Sequence, residues 1–245
     1  MRDYILTELK IMLRIPLSVF FTMCYPILMM FIIILSYGNM PIGDGYYLID
    51  KYFMVAIGMG VLPMTLVSFP MWISSSIENG SMDRMYFFGI PKIRIVLGDV
   101  LANLIQAICS MLIEIMIAFI VFRLRIPSFP YFFAFLAQYV VTIILFMLIG
   151  AVIAFIFKNS QIVMPLGLTL MFVFYMLCGV FIQIDEMPAL MQRLADFLPI
   201  KHAMNDFFTI WQEKIIIDLY FMKLTGIYAL IFGGVLILFL RKKGD

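Results

Sequence analysis

The sequence predicts an all-α integral membrane protein with six transmembrane helices. Of its 245 residues, 64% are apolar and only 13% are charged, and the mean hydropathy is +1.08. A soluble domain has about 25% charged residues, so this chain has too few polar side chains to cover a surface in water. The period-2 alternation that a membrane β-barrel requires is absent from the sequence. The formal charge of +2 is too small to suggest nucleic-acid binding, which usually needs a concentrated basic face.

Six segments are long and apolar enough to cross a hydrocarbon core of about 30 Å, which takes roughly 20 helical residues. The predicted spans cover residues 16–37, 52–73, 100–122, 131–157, 162–182 and 219–240. The first span, which begins at Pro16, is longer than the apolar part of a secretory signal, and no small-x-small cleavage site follows it. We therefore expect it to be retained as a membrane helix.

The positions of Lys and Arg predict that both termini lie in the cytoplasm. In this orientation ten basic residues lie on the cytoplasmic side and seven on the outer side, although the outer segments are longer in total. The cluster Arg241-Lys242-Lys243 directly follows the last span. The tight turn Lys158-Asn159-Ser160-Gln161 makes the fourth and fifth spans antiparallel neighbours.

Residues 1–15 predict an amphipathic helix that lies in the membrane interface before the first span. The apolar side chains fall on one helical face and the charged ones elsewhere: Ile5, Leu9, Met12 and Leu13 against Glu8, Lys10 and Arg14.

Residues 74–99 form the most polar cytoplasmic segment. Ser81 is predicted to cap a short helix, and Asp83 suits the positive end of its dipole. Gly89 and Pro91 then break this helix before the third span. The helix is expected to expose Met82, Met85, Tyr86 and Phe87. Such an apolar face fits a docking element for a protein partner or a turn that lies against lipid.

The longest outer segment, residues 183–218, predicts two short amphipathic helices that dip into the outer leaflet. Apolar residues recur at helical spacing up to Leu198, Pro199 breaks the run, and residues 203–211 form the second helix.

Few residues offer chemistry. Glu114 is the one acidic residue deep in a span, which makes it a candidate for the transport path. The alternative is a protonated or hydrogen-bonded Glu114 paired with Gln106 or Gln138.

The single histidine, His202, has no second histidine for a metal site, so a solvated or interfacial role is expected. Cys24, Cys109 and Cys178 are odd in number and are predicted to be small buried residues.

Two spans contain pairs of small residues that allow close helix contact: Ala56 with Gly60, and Gly150 with Ala154. These pairs suit packing within the chain or a homodimer seam. The phosphate-binding motif G-x-x-x-x-G-K-[ST] is missing, so any ATP that powers this chain is hydrolysed by another one.

The ordered motifs resemble those of ABC transporter type-2 permeases. Glu8-Leu9-Lys10 and Leu13-Arg14-x-Pro16-Leu17 resemble the family's opening, and residues 78–85 (ENGSMDRM) are similar to its E-x-G-[ST]-[LM]-[DE]-x-[LM] segment. After the fifth span come Leu177-Cys178-Gly179-Val180-Phe181, then Met187-Pro188, then Phe197-Leu198-Pro199-Ile200, which resemble the family's later motifs. The resemblance covers nearly the whole chain, and it departs at Cys178, where the family usually has Ser.

The resemblance implies a permease subunit that pairs with a second permease, as homodimer or heterodimer, and with a separate cytoplasmic ATPase that holds ATP and Mg²⁺. It makes residues 78–88 a coupling helix for that ATPase and residues 187–211 extracellular re-entrant helices. The implied coupling residues are Glu78, Gly80, Ser81, Asp83, Arg84, Met85, Tyr86 and Phe87, and the re-entrant segment includes Gly179, Phe181, Pro188 and Pro199.

The expected function is therefore the non-catalytic membrane subunit of a bacterial exporter in the plasma membrane. A neutral, Met- and Phe-rich membrane region favours amphipathic or hydrophobic cargo, such as drugs or peptides. Lipid-linked polysaccharide or teichoic acid is the alternative cargo. A proton-linked carrier that uses Glu114, or a membrane scaffold without transport, are alternatives of other classes.

Overall fold

A computed structural model describes residues 2–14, 20–182 and 184–241. Within this part of the chain, six helices are long and apolar enough to cross a membrane, and we number them in chain order as the first to sixth long helix. They are Phe20–Tyr37, Leu48–Glu78, Lys92–Phe122, Phe129–Phe157, Ser160–Leu177 and Leu219–Arg241. The predicted all-α membrane class is confirmed. Pro16, where the first span was predicted to begin, and Lys242 and Lys243 lie outside the described residues.

Shorter elements lie at the two ends of the bundle. One end carries the helix Arg2–Arg14 and the short helix Ser81–Phe87. We call residues 78–91 the hook, which begins at the last residue of the second long helix, and this end the hook end. The opposite end, the hairpin end, carries the strands Pro41–Gly43 and Tyr46–Tyr47. It also holds the short helical pieces Ile184–Glu186, Ala189–Asp196, Pro199–Lys201, His202–Asp206 and Phe208–Trp211.

The β-hairpin was missed by the sequence analysis. Its strands are antiparallel, with Pro41 opposite Tyr47 and Gly43 opposite Tyr46. The two residues between them, Asp44 and Gly45, have φ angles of 53° and 76°. Positive φ at both central residues is the requirement of a type I′ turn, for which Asp-Gly is a preferred sequence. The Asp-Gly pair was therefore the available signal.

Several long helices differ in length from the predicted spans. The second runs from Leu48 to Glu78 rather than over 52–73, and the third begins at Lys92 rather than at residue 100. The fifth ends at Leu177, where Gly179 with φ 85° turns the chain. A hydropathy window detects residues that tolerate hydrocarbon, whereas caps and turn residues determine where a helix ends.

The second long helix lies at the centre of the bundle and is mostly buried. A π-helical turn, Met64–Ser68, interrupts it between Pro63 and Pro70. A Cβ atom on Gly150 of the fourth long helix would overlap the carbonyl oxygen of Thr65, and one on Gly167 of the fifth would overlap that of Leu66. Two glycines thus let two helices touch the backbone of the second helix at consecutive residues.

The small-residue pairs of the sequence serve packing within the chain. A Cβ on Gly60 would lie 3.0 Å from Pro26 Cγ and 3.1 Å from the carbonyl oxygen of Thr22 in the first long helix. Ala56 and Ala154 are buried. Gly60 and Gly150 therefore serve packing within the chain, which is one of the two roles predicted for these pairs beside a homodimer seam.

The prediction of three buried cysteines is wrong at two positions. Cys24 and Cys109 are exposed on the surface of the single chain, and only Cys178 is buried. In a membrane helix an apolar side chain suits the lipid as well as the core, so residue type alone does not identify the buried face.

Asp50 ties the hairpin end together. Its Oδ2 accepts a hydrogen bond from the backbone N–H of Tyr47 at 2.7 Å, and its Oδ1 accepts one from that of Arg125 at 2.8 Å. The Arg125 carbonyl oxygen in turn accepts a bond from Trp211 Nε1 at 2.7 Å. The Asp50 side chain is fully buried, so water cannot replace either carboxylate oxygen as the acceptor for these two N–H groups.

We expect Gly150→Ala and Gly167→Ala each to destabilise the protein by about 1–3 kcal/mol, because the added methyl group overlaps a backbone carbonyl that has no room to move. Gly234→Ala in the sixth long helix is the matched control. Its Cβ meets nothing within 4 Å, so helix propensity alone acts and the change stabilises by about 0.5–1 kcal/mol. Thermal unfolding of the purified chain in detergent measures both. Equal midpoints in all three variants would contradict the packing role.

We expect Asp50→Ala to destabilise by roughly 2–4 kcal/mol, because it leaves two backbone N–H groups without their acceptors. Asp44→Asn is the control: it removes the surface ion pair of Asp44 with Lys214 at 3.0 Å, worth at most about 1 kcal/mol, and asparagine keeps the type I′ turn at this positive φ. The same unfolding assay compares the two, and an Asp50 effect no larger than the Asp44 effect would refute this role.

Candidate functional site

The hook is built from two turns that flank a short helix. Gly80 has a φ of 69°, which a glycine adopts without strain, and it precedes the helix Ser81–Phe87. Gly89, with φ 84°, and Pro91 separate this helix from the third long helix. The break predicted at Gly89 and Pro91 is therefore present.

The predicted cap at Ser81 is wrong. Gly80 occupies the N-cap position, and the Ser81 backbone N–H instead donates to Asn79 Oδ1 at 2.9 Å. The Ser81 hydroxyl donates back to the Ser76 carbonyl oxygen at 3.2 Å. Asn79 and Ser81 both favour turns, and the left-handed Gly80 moves the helix start one residue earlier than the sequence indicates.

The exposed face of the hook differs in part from the prediction. Met82 is buried and Met85 half-buried, because they pack beneath the short helix. Tyr86 is exposed as expected, and Phe87 and Phe88 are each 86% exposed. Phe88 was missed because it follows the short helix and so falls outside the helical spacing used to find the face.

The hook is fastened to the third and fifth long helices. Lys92 Nζ lies 2.6 Å from Asp83 Oδ1 and 5.5 Å from the centre of the Tyr86 ring. Glu78 Oε2 accepts hydrogen bonds from the backbone N–H and the hydroxyl of Ser160, at 3.1 and 2.9 Å. Glu78 thereby caps the start of the fifth long helix. Neither Lys92 nor Ser160 was predicted from the sequence as a partner of Asp83 or Glu78.

The helix Arg2–Arg14 lies against the third long helix near the hook. The Tyr4 hydroxyl donates a 2.6 Å hydrogen bond to Asp99 Oδ1. Glu8, predicted to lie off the apolar face, is buried, and this burial raises the pKa of its carboxyl group. The placement of Glu8 is corrected because the helix packs on protein through the side that carries Tyr4 and Glu8.

Glu114 lies in the interior of the bundle and is 2% exposed. It lines a pocket together with Thr22, Gly60, Ser110 and Tyr139. The Ser110 hydroxyl donates to the Thr22 carbonyl oxygen at 2.7 Å and lies 3.3 Å from Glu114 Oε1. Thr22 belongs to a π-helical turn, Phe20–Cys24, of the kind frequently found at functional sites.

The predicted partners of Glu114 are wrong, since Ser110 takes their place. Gln138 instead donates to the carbonyl oxygens of Ala134 and Ile216 and accepts from the backbone N–H of Asp218. The Gln106 amide has no hydrogen-bond partner among the described residues, and neither does Glu114 Oε2. Residues four apart on a helix face one another, so Ser110 was detectable from its spacing to Glu114.

The residues singled out after the fifth long helix lie at the hairpin end. A Cβ on Gly179 would lie 3.0 Å from Ile184 Cγ1, and its positive φ also requires glycine. Pro188 precedes the helix Ala189–Asp196, and Phe181 is exposed. This helix leaves its apolar side chains exposed on the single chain: Leu190, Met191 and Leu194.

Residues 199–211 instead sink into the bundle, and we call them the buried piece. Pro199 begins this piece rather than breaking a helix, because proline suits a first helical position. The second amphipathic stretch thus starts four residues earlier than predicted. A Cβ on Gly58 of the second long helix would overlap the Met204 side chain. Asn205 Nδ2 donates to the Cys178 carbonyl oxygen at 2.9 Å, which ties the buried piece to the end of the fifth long helix.

Of the solvated and interfacial roles expected for His202, the solvated one is wrong, since its side chain is buried among charged groups. His202 Nδ1 lies 2.6 Å from Asp206 Oδ2, and Lys201 Nζ lies 3.0 Å from the same oxygen. Burial lowers the pKa of His202, but the Asp206 carboxylate outweighs burial, and the pKa lies above its ordinary value. The i, i+4 spacing of His202 and Asp206 was a usable signal.

The structure therefore places the predicted coupling residues together in the hook, Glu114 alone inside the bundle, and the remaining candidates at the hairpin end. Searches of curated proteins and of solved structures gave no match to this chain. Residues 5–210 match the family model described as ABC-2 type transporter, which covers most of the chain and both ends of the bundle. This multi-pass membrane protein belongs to the ABC-2 type transporter family, whose members are the membrane subunits that associate with an ABC ATPase.

Proposed function

We propose that this chain is the membrane half of an ATP-driven exporter and that its ATPase docks on the hook. The observation that supports this proposal most is the exposed aromatic group formed by Tyr86 and Phe87 of the short helix and by Phe88 directly after it. The short helix is itself firmly attached to the bundle. Aromatic side chains dominate the energy of protein interfaces when a partner buries them. ATP and Mg²⁺ bind to the partner ATPase in this proposal, since the sequence lacks a phosphate loop.

The attachments of the hook provide a path by which a conformational change of the ATPase reaches the membrane helices. Force on the short helix reaches the third long helix through Asp83 and Lys92, and the fifth through Glu78 and Ser160. The chain also passes from Glu78 directly into the second long helix. A displaced hook would therefore move three membrane helices together, which is what coupling of hydrolysis to transport requires.

The charge distribution supports a cytoplasmic hook in a bacterial plasma membrane. The even number of spans among the described residues puts Arg2 and Arg241 at the same end as the hook, where Lys10, Arg84, Lys92, Arg94 and Lys158 also lie. Positively charged residues favour the cytoplasmic side. The hairpin end then faces outward, with the helix Ala189–Asp196 and the buried piece as its re-entrant elements.

The proposed cargo is amphipathic or hydrophobic, such as a drug or peptide, and it leaves the cell along an interface with a second permease. The first and fifth long helices each bury only 22% of their residues inside the single chain, which supports contact with lipid and with that second permease. Lipid-linked polysaccharide or teichoic acid is the alternative cargo. A transport assay with each cargo class in reconstituted vesicles distinguishes them.

We expect Phe87→Ala and Phe88→Ala to weaken binding of the ABC ATPase that co-purifies with this chain by about 2 kcal/mol each, or roughly 30-fold in Kd. Both side chains are exposed, so neither change should alter the unfolding midpoint. Co-purification and titration of the two subunits in detergent measure the binding.

Phe129→Ala is the matched control, because Phe129 is 78% exposed at the hairpin end. It should leave ATPase binding unchanged. Wild-type affinity in both hook variants would reject docking at this surface.

Glu78→Ala and Lys92→Ala should preserve binding but lower the ratio of transport to ATP hydrolysis, because they cut the attachments and not the docking face.

A proton-linked carrier is the second candidate, and the buried Glu114 favours it, since an ionisable residue inside a membrane marks an ion or substrate path by default. A proton relay needs a succession of ionisable groups. Among the described residues that line its pocket, Glu114 holds the only carboxyl group. Glu114 remains a candidate for the transport path of the exporter, where it would act without a relay.

We expect vesicles that hold this chain alone to show no cargo uptake driven by a pH gradient, and we expect Glu114→Gln to retain ATP-driven transport in the complete complex. Glutamine keeps the shape of Glu114 and its contact with Ser110. Cargo flux and proton flux in the same vesicles are the measurements. Proton-driven flux by the chain alone, abolished by Glu114→Gln, would replace the exporter with the carrier.

A further inference from the structure

His202 joins three segments of the hairpin end. Its Nδ1 lies 2.6 Å from Asp206 Oδ2 and 3.6 Å from Asp218 Oδ2, and its Nε2 lies 3.2 Å from the backbone carbonyl oxygen of Asp196. Asp196 ends the helix Ala189–Asp196, Asp206 is in the buried piece, and Asp218 directly precedes the sixth long helix. One imidazole ring therefore contacts all three.

Both ring nitrogens face atoms that only accept hydrogen bonds. Carboxylate and carbonyl oxygens have no proton to donate, and a neutral imidazole has a single N–H. A neutral His202 would leave one ring nitrogen without a proton beside an oxygen. The arrangement suits the imidazolium form, which carries a proton on both nitrogens.

The charges around the ring lead to the same protonation state. The cluster holds three carboxylates, those of Asp196, Asp206 and Asp218, but one ammonium group, that of Lys201, which lies 3.1 Å from Asp196 and 3.0 Å from Asp206. A positive charge on His202 reduces the excess of negative charge in this half-buried cluster. His202 and Lys201 together lower the pKa of Asp206, so that this carboxyl group stays ionised.

The distances favour a proton over a metal ion as the source of that charge. Two ligand atoms that each lie about 2.0–2.2 Å from a tetrahedral zinc ion are separated by roughly 3.3 Å. His202 Nδ1 and Asp206 Oδ2 are closer than this, at 2.6 Å, and Lys201 already contacts the same oxygen.

We propose that His202, Asp206 and Asp218 form a proton clamp: a proton bound at His202 fastens the buried piece to the start of the sixth long helix. Asp218 is suited to this role because its two oxygens have separate contacts. Its Oδ1 accepts from the backbone N–H of Phe221 at 3.0 Å, in the first turn of that helix, while its Oδ2 faces His202. Loss of the proton would leave Asp218 on the helix and release its hold on the buried piece.

The sign of the pH dependence follows from the groups that face the ring. Asp196, Lys201, Asp206 and Asp218 are the charged ones, and the Tyr220 ring lies 5.2 Å away. Since the pKa of His202 is higher in the folded than in the unfolded protein, the clamp contributes its full stability below about pH 6.5. That contribution is lost as the pH rises through the folded-state pKa.

The chain has one histidine, so ¹⁵N-histidine labelling reports on His202 alone. In the full chain in detergent, titrated from about pH 5 to about pH 9, we expect both ring nitrogens to carry protons at the acidic end and the midpoint to exceed that of an unperturbed histidine side chain, about 6.5. Asp206→Asn and Asp218→Asn should each lower the midpoint. A wild-type midpoint at or below that of the unperturbed side chain would overturn the proposal.

Hydrogen exchange of residues 199–211, corrected for the intrinsic effect of pH, tests the fastening itself. We expect the protection of these amides to fall in the wild type as His202 loses its proton. In His202→Gln their protection should be low and should not change with pH. Lys214→Gln is the control, because it removes an exposed ion pair in the same outer segment without touching the ring.

A pH-dependent loss of protection that persists in His202→Gln would refute the clamp. Stoichiometric Zn²⁺ binding that His202→Gln abolishes would replace the proton with a metal ion. Neither experiment needs an ATPase or a cargo, so its outcome is independent of the proposed exporter function.

Discussion

The close contact of three helices at the π-helical turn Met64–Ser68 is the constraint on which the arrangement of the bundle depends. Lipid is as apolar as leucine, so membrane helices associate through close packing rather than through the hydrophobic effect. Gly150 and Gly167 bring the fourth and fifth long helices onto the carbonyls of Thr65 and Leu66. These contacts hold the second long helix between its neighbours, and that helix leads directly into the hook at one end and begins at the Asp50 cluster at the other.

The hook combines a fixed base with an uncovered tip, and this combination is what a docking element needs. Its base is held by charged and hydrogen-bonded side chains, from Asp83 to Lys92 and from Glu78 to Ser160. Phe87 and Phe88 have little contact with the rest of the chain. A flexible tip would absorb the motion of a partner, whereas a tip on a fixed base transmits it to the helices.

Much of this architecture was predictable because hydropathy and turn residues are local properties of the sequence. The six long helices, the break at Gly89 and Pro91 and the exposed Tyr86 belong to this class. The burial of Glu8, the exposure of Cys24, the partner of Glu114 and the charged surroundings of His202 do not, because each depends on which side of a helix meets another segment. Gly167 illustrates the limit: nothing in its own helix indicates that a carbonyl from another helix occupies the space beside it.

The second long helix also gives the two ends of the molecule a physical connection. The buried piece rests on it at Gly58, and the adjacent Met59 carbonyl oxygen accepts a 2.6 Å hydrogen bond from Tyr175 of the fifth long helix. Six residues farther along lies Thr65, where the fourth helix touches its backbone. At about 1.5 Å per residue these contacts fall within roughly two turns of one another. A shift of this helix driven from the hook would therefore disturb the packing of Met204 against Gly58. Through the hydrogen bond of Asn205 to Cys178 it would also disturb the end of the fifth helix. The buried piece at the hairpin end is thus placed to respond to events at the hook through this helix.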